Sequence, residues 1–286
     1  MSNRICKTRI GFGDGLMVTA VAREIARRAD NPSMKIFPYR NHYTGLKRLI
    51  KGVEYPLIQC ETWINNPLFI QRPEELDDKR TVPYYFYCWF APPDRGHFIH
   101  RMAKPHGIDE LDLRGELFLT DAEKQKVDAL AGGLADRFVA IEPESKLDWT
   151  PNRLYPFAKW QRVVDALQGR IQFVQVGKPG GKILNNTVDL TGKTTFRETA
   201  GLIEKAQLFM ASEGGLTHAA TAMNTKAVVI ITGYQTTTAI GYPQNINISI
   251  ARHGPCWLRT PCPQCQADAA IHDESEIVDA VSNYLA

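Results

Sequence analysis

Apolar positions along this chain follow two rhythms that take turns. Short, densely apolar runs read as strands: RFVAIEP (137–143), IQFVQVG (171–177), LFMAS (208–212), AVVIITG (227–233) and INISI (246–250). Between them, apolar residues recur every three or four positions, the spacing of one helix face. LMVTAVAREIARRA (16–29), PFAKWQRVVDAL (156–167), TTFRETAGLIEKA (194–206), GGLTHAATAM (214–223) and DESEIVDAVSNYL (273–285) are read as helices. Pro156 stands at a helix start, its favoured place, and Thr195 with Glu198 forms a Thr-x-x-Glu capping box. The first part of the chain alternates in the same way. RICKTRI (4–10), MKIFPY (34–39) and TVPYYFYCWF (81–90) read as strands; HYTGLKRLI (42–50) and RGHFIHRMAKPHG (95–107) read as helices. The pattern restarts after 117–133, which predicts two doubly wound α/β halves joined near 131–137.

Composition leaves this picture intact. The chain has 286 residues, 44% apolar and 23% charged, ordinary for a globular protein with room for two cores. No run approaches the roughly 18 apolar residues of a membrane span, and the basic start lacks the apolar core of a secretory signal. Six cysteines in that setting predict a reducing cytoplasm and mostly free thiols. A net charge of +3 does not point to nucleic acid. Residues 1–51 carry eleven Lys and Arg against three acids, a basic stretch suited to an anionic acceptor or a membrane surface, or a solvated charged face.

Candidate chemistry gathers in the loops that follow the strands, where open α/β sheets hold their ligands. These loops are GFGDG (11–15), EPESK (142–146), VGKPGGK (176–182), SEGG (212–215) and TGYQTTT (232–238). In LFMASEGGLTHAATAM (208–223) an apolar strand runs through two glycines into a helix, the arrangement that offers free N–H groups to phosphate. A tight turn with His218 as a structural hydrogen bonder reads equally well. Asp14, between Gly13 and Gly15, suits either a catalytic carboxylate or the cap of a helix starting at Leu16. His253, Cys256, Cys262 and Cys265 fall close together, and Cys-x-x-Cys is half a metal site; a thiol-rich structural loop is the favoured reading.

The stretch DLTGKTTFRETAGLIEKAQLFMASEGGLTHAATAMNTKAVVIITGY resembles the C-terminal signature of family 9 glycosyltransferases, the lipopolysaccharide heptosyltransferases and their relatives. GFGDGLMVTAVAREI resembles that family's N-terminal loop and helix, and RLYPFAKWQRVVDAL its Lys-x-Trp-Pro segment. The resemblance implies the GT-B architecture: two Rossmann-like doubly wound domains facing a central cleft, an acceptor-binding domain at 1–136 and a nucleotide-sugar-binding domain at 137–286. It implies an inverting, metal-independent transfer of a sugar, heptose being the family's own, from a nucleotide diphosphate donor to a glycan or lipid-linked acceptor. No cofactor beyond the donor is expected, and the location is cytoplasmic or peripheral at the membrane's inner face.

Residue by residue, the resemblance makes Asp14 the general base and Arg153 the cation on the leaving diphosphate. It assigns donor contacts to Gly13, Gly15, Ser145, Lys146, Gly177, Thr194, Thr195, Ser212, Glu213, Gly214, Gly215, Thr217 and His218. Three positions depart from the pattern. Arg153 replaces a lysine, and Glu213-Gly214 replaces Asp followed by Ser or Thr, so that a longer side chain is expected to carry its carboxylate outward. No acid lies between Lys178 and Val188, where relatives often place a glutamate near ribose. These departures keep two other readings in view: a nucleotide-sugar hydrolase or epimerase of the same fold, and a catalytically weak nucleotide- or carbohydrate-binding protein.

Overall fold

The computed structural model describes residues 11–29, 35–39, 60–71, 75, 81–85, 96–144 and 149–286. The chain forms two compact units, Met1–Phe118 and Leu119–Ala286. In the first unit, α1 (Phe12–Arg28) is followed by β1 (Lys35–Tyr39), β2 (Thr81–Tyr85) and α2 (Phe98–Ala103). β1 and β2 pair in parallel. The strand expected at 4–10 and the helix at 42–50 lie outside the described residues. Gly107 ends the 104–106 turn after α2 at φ +71°, the left-handed stop that the Pro-His-Gly sequence predicts.

α1 begins earlier than the apolar pattern suggests. Helical backbone starts at Phe12, and the N-cap is Gly11 without a side-chain bond. The five residues expected as a loop are therefore mostly the helix's first turn. Asp14 is inside it, so the capping role expected for a helix starting at Leu16 is corrected.

The second unit holds α3 (Asp121–Ala131), β3 (Phe138–Glu142), α4 (Phe157–Ala166), β4 (Gln172–Gln175), β5 (Thr187–Asp189), α5 (Phe196–Lys205), β6 (Leu208–Ser212), α6 (Gly215–Ala222), β7 (Ala227–Ile231), α7 (Thr237–Ile240), β8 (Ile246–Ser249), α8 (Pro263–Ile271) and α9 (Ser275–Leu285). Its six strands are all parallel, in the order β5-β4-β3-β6-β7-β8. The chain thus winds outward from β3 to one edge, returns, and winds from β6 to the other. β3, β6 and β7 are almost wholly buried, which explains their near-continuous apolar runs.

Val139, Ile141, Met210, Val228 and Ile230 form the sheet's contribution to one core, closed by Trp160, Val163 and Val164 of α4 and Ile277 and Val281 of α9. α3 packs on α5 within this unit. Their tie is a bidentate ion pair, Arg197 Nε and Nη2 to Glu123 at 2.7 and 2.8 Å, with Arg197 only 3% exposed. Glu123 also closes the capping box of α3 on Thr120, and burial is outweighed by these partners, which hold its carboxyl at about 2.

Candidate functional site

The order of the six strands reverses between β3 and β6, and a crevice beyond the carboxyl ends of strands at such a point is where this architecture binds ligands. Two carboxylates stand there. Glu142 is the last residue of β3, and Glu213 follows β6 directly. Burial pushes the Glu142 carboxyl up to about 8 against the pull of Lys178. It pushes Glu213 up to about 7 against the pull of Arg153.

Glu213 is fully buried, which corrects the expectation that the extra methylene carries its carboxylate outward. Its N–H is held by the Ile230 carbonyl at 3.0 Å, so the strand ladder directs the side chain inward. The carboxylate lies 3.9 Å from Arg153 Nε. Among the described residues neither carboxylate oxygen, nor Arg153 Nε, nor the Ser212 hydroxyl has a hydrogen-bond partner. Buried polar atoms in this state are rare in proteins and call for an explanation, although against burial Arg153 and the Gln235 backbone N–H both draw the Glu213 carboxyl down. The Arg153 guanidinium rests on the Tyr234 ring, 4.7 Å from its centroid, which fixes a cation at the crevice without neutralising it.

The glycine-rich turn follows. Gly214 is fully extended, at φ −178°, a conformation open to any residue. Backbone geometry therefore gives no reason for glycine there. Thr217 turns its hydroxyl back to the Gly214 carbonyl at 2.7 Å and so spends it on closing the first turn of α6. His218 is buried, with Nδ1 2.6 Å from the Tyr242 hydroxyl and the two rings edge to face.

Beyond the carboxyl ends of β3, β4 and β5, a cavity of about 330 Å³ is lined by Glu144, Gln175, Gly177, Lys178, Pro179 and Thr191, among others. Gly177 sits at φ +128°, where a side chain would be strained. The 178–188 stretch has no acid of its own, but Glu144, after β3, reaches it and accepts the Lys182 N–H at 3.0 Å. Sequence spacing could not show this, because the two segments meet only through the pairing of β3 with β4.

Other expected donor residues are engaged locally or stand in the first unit. Thr195 is occupied as the cap of α5, as its capping box predicts, and Thr194 bonds Thr199 at 2.8 Å. Ser145 and Lys146 lie outside the described residues. Gly13, Asp14 and Gly15 belong to the first unit; the Trp63 indole N–H donates to the Gly15 carbonyl at 2.8 Å, and a side chain at Gly15 would strike Thr62 and Cys60.

The cysteine-rich stretch forms a cluster. The ligand atoms of His253, Cys262 and Cys265 all lie within 4.8 Å of one another, and Cys256 interacts electrostatically with both other thiols as a fourth candidate outside that tight group. Cys262 caps α8 and Cys265 stands in its first turn, so this part is a helix start and not wholly a loop. Asp268 accepts His253 Nδ1 at 2.8 Å and turns Nε2 towards the Cys265 sulfur, 3.5 Å away. Three thiols and one oriented imidazole are a donor set for a tetrahedral zinc or iron ion. The described residues therefore fit a metal ion.

The profile of glycosyltransferase family 9 (heptosyltransferase) matches residues 95–264. No curated protein sequence matches the chain. Among solved structures, the chain is similar to the bacterial iron-containing dodecameric glycosyltransferase TibC from enterotoxigenic E. coli, at 14% identity and a TM-score of 0.66, over 97% of this chain and 74% of that one. It is similar to a family 9 glycosyl transferase from Veillonella parvula, at 14% identity and TM-score 0.54, over 98% and 80%. TibC in complex with ADP-D-beta-D-heptose gives 18% identity and TM-score 0.53, over 76% and 62%. These likenesses establish the α/β fold as that of GT-B glycosyltransferases. With more than half of its length matched by the family profile, the chain belongs to glycosyltransferase family 9, the heptosyltransferase family.

Proposed function

We propose that the chain is an inverting transferase that binds a nucleoside-diphosphate sugar in its second unit and passes the sugar to a glycan or lipid-linked acceptor. The observation that carries this reading is the half-buried Arg153 guanidinium, held on the Tyr234 ring 3.9 Å from the fully buried Glu213 carboxyl, at the point where the strand order reverses. A diphosphate there meets the guanidinium and the N-terminus of α6, whose free N–H groups and dipole favour anions. A neutral Glu213, favoured by its raised pKa, spares the diphosphate a buried like charge. Glu144 and the cavity beside Gly177 supply a carboxylate and space for the ribose.

In the transfer, Asp14 takes the acceptor hydroxyl's proton as that oxygen attacks the anomeric carbon. The bond to the diphosphate oxygen breaks, and Arg153 receives the charge that builds there. TibC's complex with ADP-D-beta-D-heptose makes ADP-heptose the first donor to try. The basic first 51 residues suit an anionic acceptor, lipopolysaccharide precursors included. His253, Cys256, Cys262 and Cys265 would hold a structural metal, which supplies rigidity and no chemistry on the sugar.

Mass spectrometry of donor mixed with candidate acceptors tests the reading. The expected result is an acceptor one sugar heavier, with inverted anomeric configuration by NMR of the product, lost in Asp14→Asn. Release of free sugar at the same rate without acceptor identifies a hydrolase instead. Binding without turnover, unaltered by Asp14→Asn, identifies a binding protein.

A further inference from the structure

Asn152 is 2% exposed and spends its entire side-chain amide on a segment more than a hundred residues away. Its Nδ2 donates to the carbonyls of Leu258 at 2.9 Å and Thr260 at 2.8 Å, and its Oδ1 accepts the Cys262 N–H at 2.8 Å. The Thr150 hydroxyl adds a bond to the Leu258 carbonyl, also 2.8 Å. Segment 258–262 links the two halves of the thiol–imidazole cluster, with His253 and Cys256 before it and Cys262 and Cys265 from its end onward. Asn152 is also the residue next to Arg153.

A second tie runs in parallel. The Cys256 N–H donates to the Gly233 carbonyl at 2.9 Å. Gly233 sits at φ +93°, and a side chain there would press on the Ala251 Cβ and touch the Cys265 sulfur and the His253 ring. Its neighbour Tyr234 carries the Arg153 guanidinium on its ring and accepts the Trp149 indole N–H at 3.0 Å. The Thr232 hydroxyl closes the circuit on the Asn152 carbonyl at 2.6 Å. Both supports of Arg153, the backbone at 152 and the ring at 234, are thus one residue from a hydrogen bond to the cysteine-bearing segment.

We propose that a tetrahedral metal ion on His253, Cys256, Cys262 and Cys265 sets the position of Arg153 through Asn152 and Tyr234, so that metal occupancy governs affinity for a nucleoside diphosphate the metal never touches. The proposal rests on Arg153 as the partner of the diphosphate. Binding the ion displaces the thiol protons to solvent and closes the 253–265 segment at both ends. Asn152 is a positioning residue in this scheme: it transmits the closure and meets no ligand.

The test compares four preparations of the full chain: wild type loaded with zinc or iron(II), wild type stripped by chelator, and loaded Asn152→Ala and Arg153→Ala. Each is measured for metal content, melting temperature and calorimetric affinity for ADP, UDP and GDP. Loaded wild type is expected to hold one ion per chain and to bind one diphosphate, with about tenfold weaker binding after stripping and recovery on reloading. Loaded Asn152→Ala is expected to stay folded with its ion bound, at a melting temperature lowered by the lost buried hydrogen bonds, yet to bind the diphosphate as weakly as the stripped chain. Loaded Arg153→Ala is expected to bind as weakly as the stripped wild type. Wild-type affinity in loaded Asn152→Ala, unchanged affinity in a stripped and still folded chain, or failure to take up either metal overturns the proposal. If stripping unfolds the chain, the Asn152→Ala comparison decides alone. Should loaded wild type bind none of the diphosphates, the donor reading itself fails and takes this proposal with it.

Discussion

At the scale of single residues, Glu213 sets the terms. Its carboxyl rises from 4.5 to about 7 through burial, so the folded chain keeps a proton that the unfolded chain releases. The stability this proton confers is present below about pH 4.5 and is lost as pH rises through 7. Glu142, raised to about 8, acts in the same direction. Glu213→Gln should therefore flatten stability between pH 5 and 8 and raise it at pH 8 by about 2–3 kcal/mol. Urea unfolding across that range checks this; an unchanged pH slope contradicts it. Glu123 and Glu274, held at about 2 chiefly by Arg197 and Arg162, work the other way, and their contribution disappears as pH falls from 4.5 towards 2. Glu144→Gln should cost about tenfold in affinity for a nucleoside diphosphate and little for its 2′,3′-dideoxy counterpart, since a lost hydrogen bond to a charged group is worth about 1.5–3 kcal/mol. Equal losses for both ligands would remove Glu144 from the ribose site. Residues of this kind divide by legibility. The glycine turn and His218 announce themselves within a dozen positions, whereas Glu144 and Asn152 carry no local signal, because their partners are distant in sequence.

Secondary elements were most readable where capping chemistry and periodicity agree. α5 begins where Thr195 and Glu198 form their reciprocal bonds, and β6, α6 and β7 follow the apolar pattern closely. β5 escaped because three residues, all half-buried at the sheet's edge, leave no apolar run. α1 begins earlier than read because helical backbone there takes in Gly13 and Gly15, residues that usually mark a loop. The start of α8 was hidden by cysteines that suggested a loop, although Pro263 at its first position is a helix signal. The contact of α3 with α5 also lies beyond local pattern. Arg197→Met should destabilise the second unit by about 3 kcal/mol, because Glu123 would keep a largely buried charge without its partner. Thermal or urea unfolding measures this, and a loss below about 0.5 kcal/mol would show that the pair contributes no more than an exposed surface bridge.

For the whole molecule, the alternation of strands and helices sufficed for the α/β class, and the motifs for the family. The strand order did not follow from alternation, since a parallel sheet can be wound in several orders from one element list. The observed order, β5-β4-β3-β6-β7-β8, brings the ends of β3 and β6 together and with them Glu142, Glu213 and the α6 turn. It also places the cysteine cluster on a network that leads to Arg153. The measurement that bears most directly on the donor site is calorimetric titration of ADP, UDP, GDP and dTDP into the metal-loaded chain and its Arg153→Ala variant. One diphosphate should bind selectively to the wild type and at least tenfold more weakly to the variant. No binding at millimolar nucleotide, or equal binding by both chains, would contradict a diphosphate site at Arg153 and Glu213.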